Sequence, residues 1–233
     1  MLRFRGLALV VLRGQTKGPL PPEFTVVGAG YLPQFFTNIG GTKIEMLSLA
    51  AGIVISLIII FMELRSRRNK VRQGFAVSSK MAMLFKLVLS VFIVNFFSIK
   101  LAMYMGLPMV LLIVLVLVVI YTFVTTRTVP GRQIYAVGGN RKAAALSGIK
   151  VNHVMFWIYT NMGLLAGLAG IVLSARNASA TPKAGDMFEM DAIAACYIGG
   201  TAVAGGAGTV TGAVVGALIM GVLNNGMSLL GWS

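Results

Sequence analysis

Six polar side chains lie within long apolar runs of the chain, and their amide and hydroxyl groups have the clearest capacity for binding chemistry. They are Asn95, Asn161, Tyr197, Thr201, Asn224 and Asn225. Such groups hydrogen-bond to neutral, hydroxyl-rich solutes, so these residues could line a path for one. They could equally join helices by hydrogen bonds, which is the more general use of polar groups in a membrane. The sequence leaves both interpretations open.

Patterns typical of enzymes and of metal sites are missing from the sequence. The single histidine, His153, has no cysteine or carboxylate at the spacing of metal ligands, and the single cysteine, Cys196, excludes an internal disulfide. The glycine-rich stretch that begins at Gly199 lacks the Gly-Lys-Ser/Thr ending of a nucleotide-binding loop. We therefore expect a protein that is not an enzyme and that binds no metal or cofactor itself.

Composition indicates which elements must position these side chains. The chain has 233 residues, of which 57% are hydrophobic and 11% charged, and its mean hydropathy is +0.87. These values predict a polytopic membrane protein in contact with a lipid bilayer. The net charge of +14 would suit a nucleic-acid binder, but the basic residues cluster in short segments between apolar runs. Nucleic acid is therefore not an expected partner.

The apolar runs predict the membrane spans. Uncharged stretches cover residues 46–62, 101–126, 154–175 and 192–233, and a further apolar stretch covers 81–99. Since a helix needs about 20 residues to cross a hydrocarbon core of about 30 Å, the last stretch has room for two spans and each of the others for one. The predicted fold class is all-α, a polytopic transmembrane helical bundle.

Glycines predict an irregular hairpin near the C-terminus. Gly208, Gly212 and Gly216 recur every four residues, which predicts one helical face suited to close packing, and Gly163 and Gly167 repeat the spacing. Residues 191–231 are therefore expected to form a glycine-rich helical hairpin, broken or re-entrant near residues 199–206. Irregular backbone at membrane depth is common at transporter substrate sites.

The distribution of basic residues predicts the orientation. Residues 63–86 carry seven basic side chains and residues 127–150 carry five, whereas the alternate connections carry one and two. Positive residues favour the cytoplasmic side, so loops 63–80 and 127–153 are expected inside, and loops 14–45 and 176–190 on the periplasmic side. Apart from Lys86, no ionisable residue lies in a predicted span, which disfavours coupling to an ion gradient.

The second cytoplasmic loop has its own local signals. Pro130 and Gly131 are expected to end the incoming helix, and Asn140 to cap a short helix that Gly148 closes. Composition alone favours a solvated connector here.

The same loop carries a family resemblance. The string from Gly131 to Ile149, GRQIYAVGGNRKAAALSGI, resembles the signature cytoplasmic loop of bacterial ABC-type sugar permeases of the ribose/xylose/galactose group, which are related to branched-chain amino acid permeases. Further matches follow in the family's order at residues 178–185, 189–195, 198–201, 205–209 and 221–226. The early stretches 5–14 and 18–24 are most similar to xylose and multiple-monosaccharide permeases.

The resemblance implies a translocation subunit in the bacterial inner membrane. It would pair with a second permease copy, receive a monosaccharide such as xylose or a related pentose or hexose from a periplasmic binding protein, and be driven by a cytoplasmic ATPase dimer. ATP and Mg would bind to the ATPase. Loops 14–45 and 176–190 would face the binding protein. Separately from the resemblance, we expect residues 191–225 to lie near the dimer axis and the sugar path. The residues implied to couple to the ATPase are Gly131, Arg132, Gly138, Gly139, Asn140, Arg141, Lys142, Ala144, Ser147 and Gly148.

The resemblance also implies that the chain is the later part of a longer permease. Family members have several helices before the position of Met1 and a final span after that of Ser233, so truncation at both ends is expected. Residues 1–13 would be the outer end of a membrane helix. Two alternatives to the importer are a non-transporting membrane scaffold or receptor-coupling subunit, and a gradient-driven carrier.

Overall fold

The computed structural model describes residues 2–32, 36–39, 42–72 and 80–231. The chain forms two compact units, one of residues 1–29 with 110–233 and one of residues 30–109. The described elements in chain order are α1 (Leu2–Leu12), α2 (Pro22–Ala29), β1 (Phe36–Ile39), β2 (Thr42–Glu45), α3 (Met46–Arg72), α4 (Lys80–Ala102), α5 (Met109–Arg127), α6 (Val129–Gly139), α7 (Arg141–Leu146), α8 (Val151–Arg176), α9 (Phe188–Ile198) and α10 (Val210–Leu229).

Five of the described helices are long and apolar enough to cross a membrane. They are Met46–Arg65 within α3, Met81–Ala102 within α4, and the whole of α5, α8 and α10. Their length and composition confirm the predicted all-α polytopic fold. The long helices expose most of their apolar side chains, as expected of surfaces that face lipid.

Two predicted spans differ from the structure. The apolar run at 101–126 contains a turn before α5, because Gly106 has a φ of +89° and its N–H bonds to the carbonyl of Leu101, which closes α4. The last run, 192–233, holds one helix of spanning length instead of two. Helix α9 has 11 residues and is about 16 Å long, about half of a membrane crossing. Residues 199–209 between α9 and α10 are not helical, so the predicted break is present.

The unit of residues 30–109 is built on α3 and α4, which pack through small residues. The Nδ2 of Asn95 donates to the Oγ of Ser56 at 2.8 Å, and the Oγ of Ser98 donates to the carbonyl of Ser48 at 2.5 Å. A Cβ at Gly52 would lie 2.6 Å from the Cβ of Ser98, so this contact requires glycine. Asn95 therefore joins two helices.

An ion pair links the same two helices and corrects two sequence predictions. The Nζ of Lys86 lies 3.1 Å from the Oε1 of Glu63. Lys86 was expected to be the one ionisable residue in a span, and Glu63 to lie in a loop. Helix α3 instead continues to Arg72, so part of the predicted loop 63–80 is helical, residues 73–79 lying outside the described part of the chain.

The predicted periplasmic stretch 14–45 contains more regular structure than its turn-rich sequence indicates. It holds α2 and an antiparallel hairpin in which Phe36 pairs with Glu45 and Ile39 with Thr42. The sequence predicted a loop here.

In the other unit, α2 packs on α8. A Cβ at Gly28 would lie 2.5 Å from the carbonyl oxygen of Val172 and 2.8 Å from the Cβ of Ala175, so only glycine fits. Nearby, Lys17 and Ala180 exchange two backbone hydrogen bonds of 3.0 and 2.8 Å. Parts of the two predicted periplasmic loops therefore lie side by side.

Candidate functional site: the α6–α7 segment and the glycine-rich loop

Helix α6 begins at Val129, next to Pro130 and Gly131, which were expected to end the preceding helix. The side chain of Thr128 caps it by accepting from the N–H of Gly131 at 3.4 Å, and Pro130 lies in its first turn. A Cβ at Gly131 would lie 2.5 Å from the carbonyl oxygen of Thr125, so glycine lets α6 fold back onto the end of α5. Pro130 and Gly131 thus open a new helix. The threonine cap followed by proline was the missed signal.

Helix α7 begins and ends as the sequence predicted. The Oδ1 of Asn140 accepts from the N–H groups of Lys142 at 3.0 Å and Ala143 at 3.1 Å. At the other end, Ser147 bonds back to Ala143, and Gly148 has a φ of +82°, which favours glycine. Two tight ends fix the direction of this six-residue helix.

A small apolar core fastens α6 and α7 to the start of α8. Val137, Ala144 and Val154 are 2%, 4% and 8% exposed, and one comes from each helix. The opposite side of α7 faces outwards, with Arg141 and Lys142 exposed and Leu146 90% exposed. The predicted coupling residues Arg132, Gly138, Gly139, Asn140, Ser147 and Gly148 are also exposed, whereas Gly131 and Ala144 are buried.

The end of α6 contacts the irregular residues between α9 and α10, which we name the glycine-rich loop (residues 199–209). A Cβ added at Gly138 would lie 2.7 Å from the backbone N of Gly206. A Cβ added at Gly206 would likewise lie 2.7 Å from the backbone N of Gly139. The hydroxyl of Tyr135 donates to the carbonyl of Gly208 at 2.8 Å. The predicted coupling segment and the predicted break are therefore neighbours, which nothing in the sequence indicated.

A cavity of about 500 Å³ lies between these elements. Its walls come from the glycine-rich loop and from the ends of α5, α6, α7, α8 and α10. The lining residues include Thr125, Tyr135, Arg141, Met155, Thr201 and Thr209. Thr201 is the one residue among the six proposed path residues that contributes to this cavity.

The remaining path residues are dispersed. Asn161 on α8 accepts from the hydroxyl of Tyr121 on α5 at 2.6 Å, so it joins helices. Tyr197 and Asn225 are exposed, and Asn95 belongs to the other unit. The geometry of Asn95 and Asn161 favours interhelical hydrogen bonding over a common polar lining.

Asn224 also joins helices. Its Nδ2 donates to the Oδ2 of Asp191 at 3.2 Å, linking α10 to α9. Asp191 opens the predicted hairpin 191–231, and it lies within α9, which begins at Phe188. Carboxylates in the first turn of a helix are stabilised by its dipole. Glu63, in contrast, lies within the spanning segment Met46–Arg65, so Lys86 is not the one ionisable residue in the described spans.

Two of the five glycines in the packing prediction lie close to a neighbouring helix in the described part of the chain. Gly212 and Gly216 on α10 face α9 so closely that an added Cβ would overlap the carbonyl oxygens of Gly199 and Ala195, respectively. Gly208 precedes α10, so it does not share that helical face. Gly163 and Gly167 have no atom of the described residues within 4 Å of an added Cβ.

Comparisons with known proteins agree with the resemblance. The chain is 38% identical over 230 residues to the xylose transport system permease protein XylH of Escherichia coli K12, covering 99% of this chain and 56% of that protein. It is 47% identical over 130 residues to the ribose import permease protein RbsC of Bacillus subtilis, covering 56% of this chain and 40% of that protein. The chain thus spans about half the length of the xylose permease that it matches, and no solved structure matches it.

The fold and the comparisons together identify the kind of protein. Both relatives are permease proteins, which are transport subunits and not enzymes. With five helices of spanning length in its described part, the chain is a multi-pass protein of the inner membrane. A family profile described as "Branched-chain amino acid transport system / permease component" matches residues 43–233, so the chain belongs to this family of permeases.

Proposed function

We propose that this chain forms part of the membrane-spanning subunit of an ATP-driven importer of monosaccharides. Sugar would pass from a periplasmic binding protein through a pair of permease copies to the cytoplasm, driven by a separate ATPase dimer that binds ATP and Mg. The observation that carries the proposal is the direct contact between α6, which leads into the exposed α7, and the glycine-rich loop. The names of the relatives favour xylose or a related pentose or hexose as the substrate.

The exposed side of α7 suits a protein partner in the cytoplasm. An isolated leucine that is 90% exposed on a short, firmly capped helix is a good anchor for an apolar pocket. Burying a leucine side chain stabilises a complex by about 1.5–3 kcal/mol. Arg141 and Lys142 beside it would favour an acidic rim on the partner and increase the rate of encounter.

The opposite end of the same unit supports a second docking surface. Residues 17–20 lie along residues 178–180, where Leu20 also donates to the carbonyl of Ala178 at 3.0 Å. Loops that are joined by backbone hydrogen bonds form one surface, so a binding protein could contact both together. Within residues 14–29 and 176–190, the basic residues are Lys17, Arg176 and Lys183, and the acidic ones are Glu23, Asp186 and Glu189.

Uptake by intact cells tests the proposal. A strain with the complete operon is compared with one that lacks this gene, and uptake of labelled xylose, ribose and glucose is measured. We expect loss of uptake of one of these sugars, restored by the full-length gene and abolished by inactivating the ATPase. Unchanged uptake without the gene would favour the scaffold alternative. Uptake that is independent of the ATPase but abolished by an ionophore would favour the gradient-driven carrier.

Replacing Leu146 by alanine should weaken binding to the ATPase by at least about tenfold. Each buried methylene contributes about 0.8 kcal/mol, and about 1.4 kcal/mol corresponds to a factor of ten in affinity. The measurement is the Kd between the full-length permease in nanodiscs and the purified ATPase. Leu229→Ala is the matched control, since Leu229 is 82% exposed at the far end of α10. Equal affinities for the two variants would exclude Leu146 as an anchor.

A further inference from the structure

Tyr135 lies on α6, and its hydroxyl bonds to the residue that precedes the cap of α10. Gly208 accepts this hydrogen bond at 2.8 Å, and Thr209 then caps α10 by accepting from the N–H of Gly212 at 3.0 Å. The bond therefore holds α6 to the point where the glycine-rich loop becomes helix. Tyr135 is half-buried and 73 positions away in sequence from its partner.

The glycine-rich loop is held together by its own backbone hydrogen bonds. Its backbone bonds to itself, from the N–H of Ala202 to the carbonyl of Ala207 and from the N–H of Gly205 to the carbonyl of Ala202, both at 3.0 Å. Its start is tied to α9, since the N–H of Thr201 bonds to the carbonyl of Cys196 at 3.0 Å. A compact turn that is tied at both ends transmits a displacement more readily than a flexible one.

A second part of the contact with α6 is backbone against backbone. Gly138 meets Gly205 and Gly206, which have φ values of +89° and +75°. Two glycine surfaces pack closely but present no side chains that would interlock. The hydrogen bond from Tyr135 adds a directional link to this glycine contact.

We infer that Tyr135 is a positioning residue that joins the α6–α7 segment to the start of α10, so that a displacement of α7 shifts the glycine-rich loop. Tyr135 and the loop both line the cavity, so this shift changes the opening of the cavity. The inference rests on the proposed function, because it takes the ATPase as the source of the displacement. The role inferred for Tyr135 is to couple the ATPase to the glycine-rich loop, and not to bind sugar.

The first test is the sugar transported per ATP hydrolysed. The full-length permease, reconstituted with its ATPase and binding protein, is compared with its Tyr135→Phe variant. We expect ATP hydrolysis within about twofold of the unsubstituted transporter and a roughly fivefold lower ratio of sugar to ATP, the size of effect that the loss of one hydrogen bond gives. Tyr159→Phe, which removes the hydroxyl of an exposed tyrosine on α8, should leave the ratio unchanged.

The second test does not depend on transport. Hydrogen exchange of the backbone amides of Ala202 and Gly205 is measured in nanodiscs without ATPase, and we expect exchange to be about fivefold faster in Tyr135→Phe. If the unsubstituted transporter carries no sugar, the proposed function fails while this measurement still tests the link. Unchanged exchange would overturn the inference. Faster exchange with an unchanged sugar-to-ATP ratio, or an equal fall in hydrolysis and uptake, would also overturn it.

A second variant checks the same contact by a different route. Gly138→Ala places a Cβ 2.7 Å from the backbone N of Gly206 and should displace the glycine-rich loop without touching Tyr135. We expect a lower sugar-to-ATP ratio here as well. The control is Gly170→Ala on α8, where nothing lies within 4 Å of the added Cβ among the described residues. Equal ratios in these two variants would contradict a role for the α6 contact.

Discussion

Replacement of Gly216 by alanine is expected to lower the free energy of unfolding by about 3 kcal/mol, the upper range for overpacking a close contact. The added Cβ would overlap the carbonyl oxygen of Ala195 and lie 2.8 Å from the backbone N of Gly199. Both are backbone atoms, which cannot rotate away as the end of a side chain can. Helices α9 and α10 would have to separate, and the Asn224–Asp191 hydrogen bond between them would lengthen or break.

Gly221→Ala on the same helix provides the control. An alanine there meets nothing within 4 Å among the described residues, and both substitutions gain about the same helix propensity, about 1 kcal/mol. The difference in stability between the two variants therefore reports the cost of the overpacked contact at Gly216. The measurement is the thermal unfolding midpoint of the full-length permease in nanodiscs. Equal midpoints would show that α9 and α10 do not pack as described.

The second large effect is expected from reversing the charges of α7. The double substitution Arg141→Glu, Lys142→Glu should reduce sugar uptake by at least about tenfold, because two carboxylates would repel the acidic rim expected on the ATPase. Both side chains are exposed, so the fold of the segment should persist. Uptake and ATP hydrolysis are measured in the reconstituted transporter.

A charge-conserving exchange at the same positions separates charge from shape. Arg141→Lys with Lys142→Arg keeps both positive charges and should retain most of the uptake. If the charge-reversed transporter takes up sugar at the original rate and its ATPase is stimulated as before, α7 does not dock on the ATPase. A loss in both double variants would indicate a requirement for the shape of the side chains.

Local signals explain why α7 was predicted from the sequence and α6 was not. Asn140 and Gly148 act on backbone groups within three residues of themselves, so their effect is visible in the sequence. Pro130 is ambiguous, because proline both ends a preceding helix and fits the first turn of a new one. The same ambiguity affects Gly208, which has the spacing of Gly212 but lies before the Thr209 cap.

Contacts between distant residues explain what the sequence could not predict. The partner of Tyr135 lies 73 positions away, and the partner of Asn224 lies 33 positions away. Composition shows that such side chains are polar and lie in apolar runs, but pairing depends on how the helices pack. The ion pair of Lys86 with Glu63 is of the same kind, since its members are 23 positions apart.

The short length of α9 has a consequence for biosynthesis. A nascent chain that has emerged only as far as Ile198 carries a segment about 16 Å long with Glu189 and Asp191 in its first turn. Such a segment is too short and too polar at one end to be retained in a bilayer by hydrophobicity alone. Its insertion must therefore wait for α10, whose glycines accept α9 once both have left the ribosome. We therefore expect this pair of helices to enter the membrane together and not one after the other.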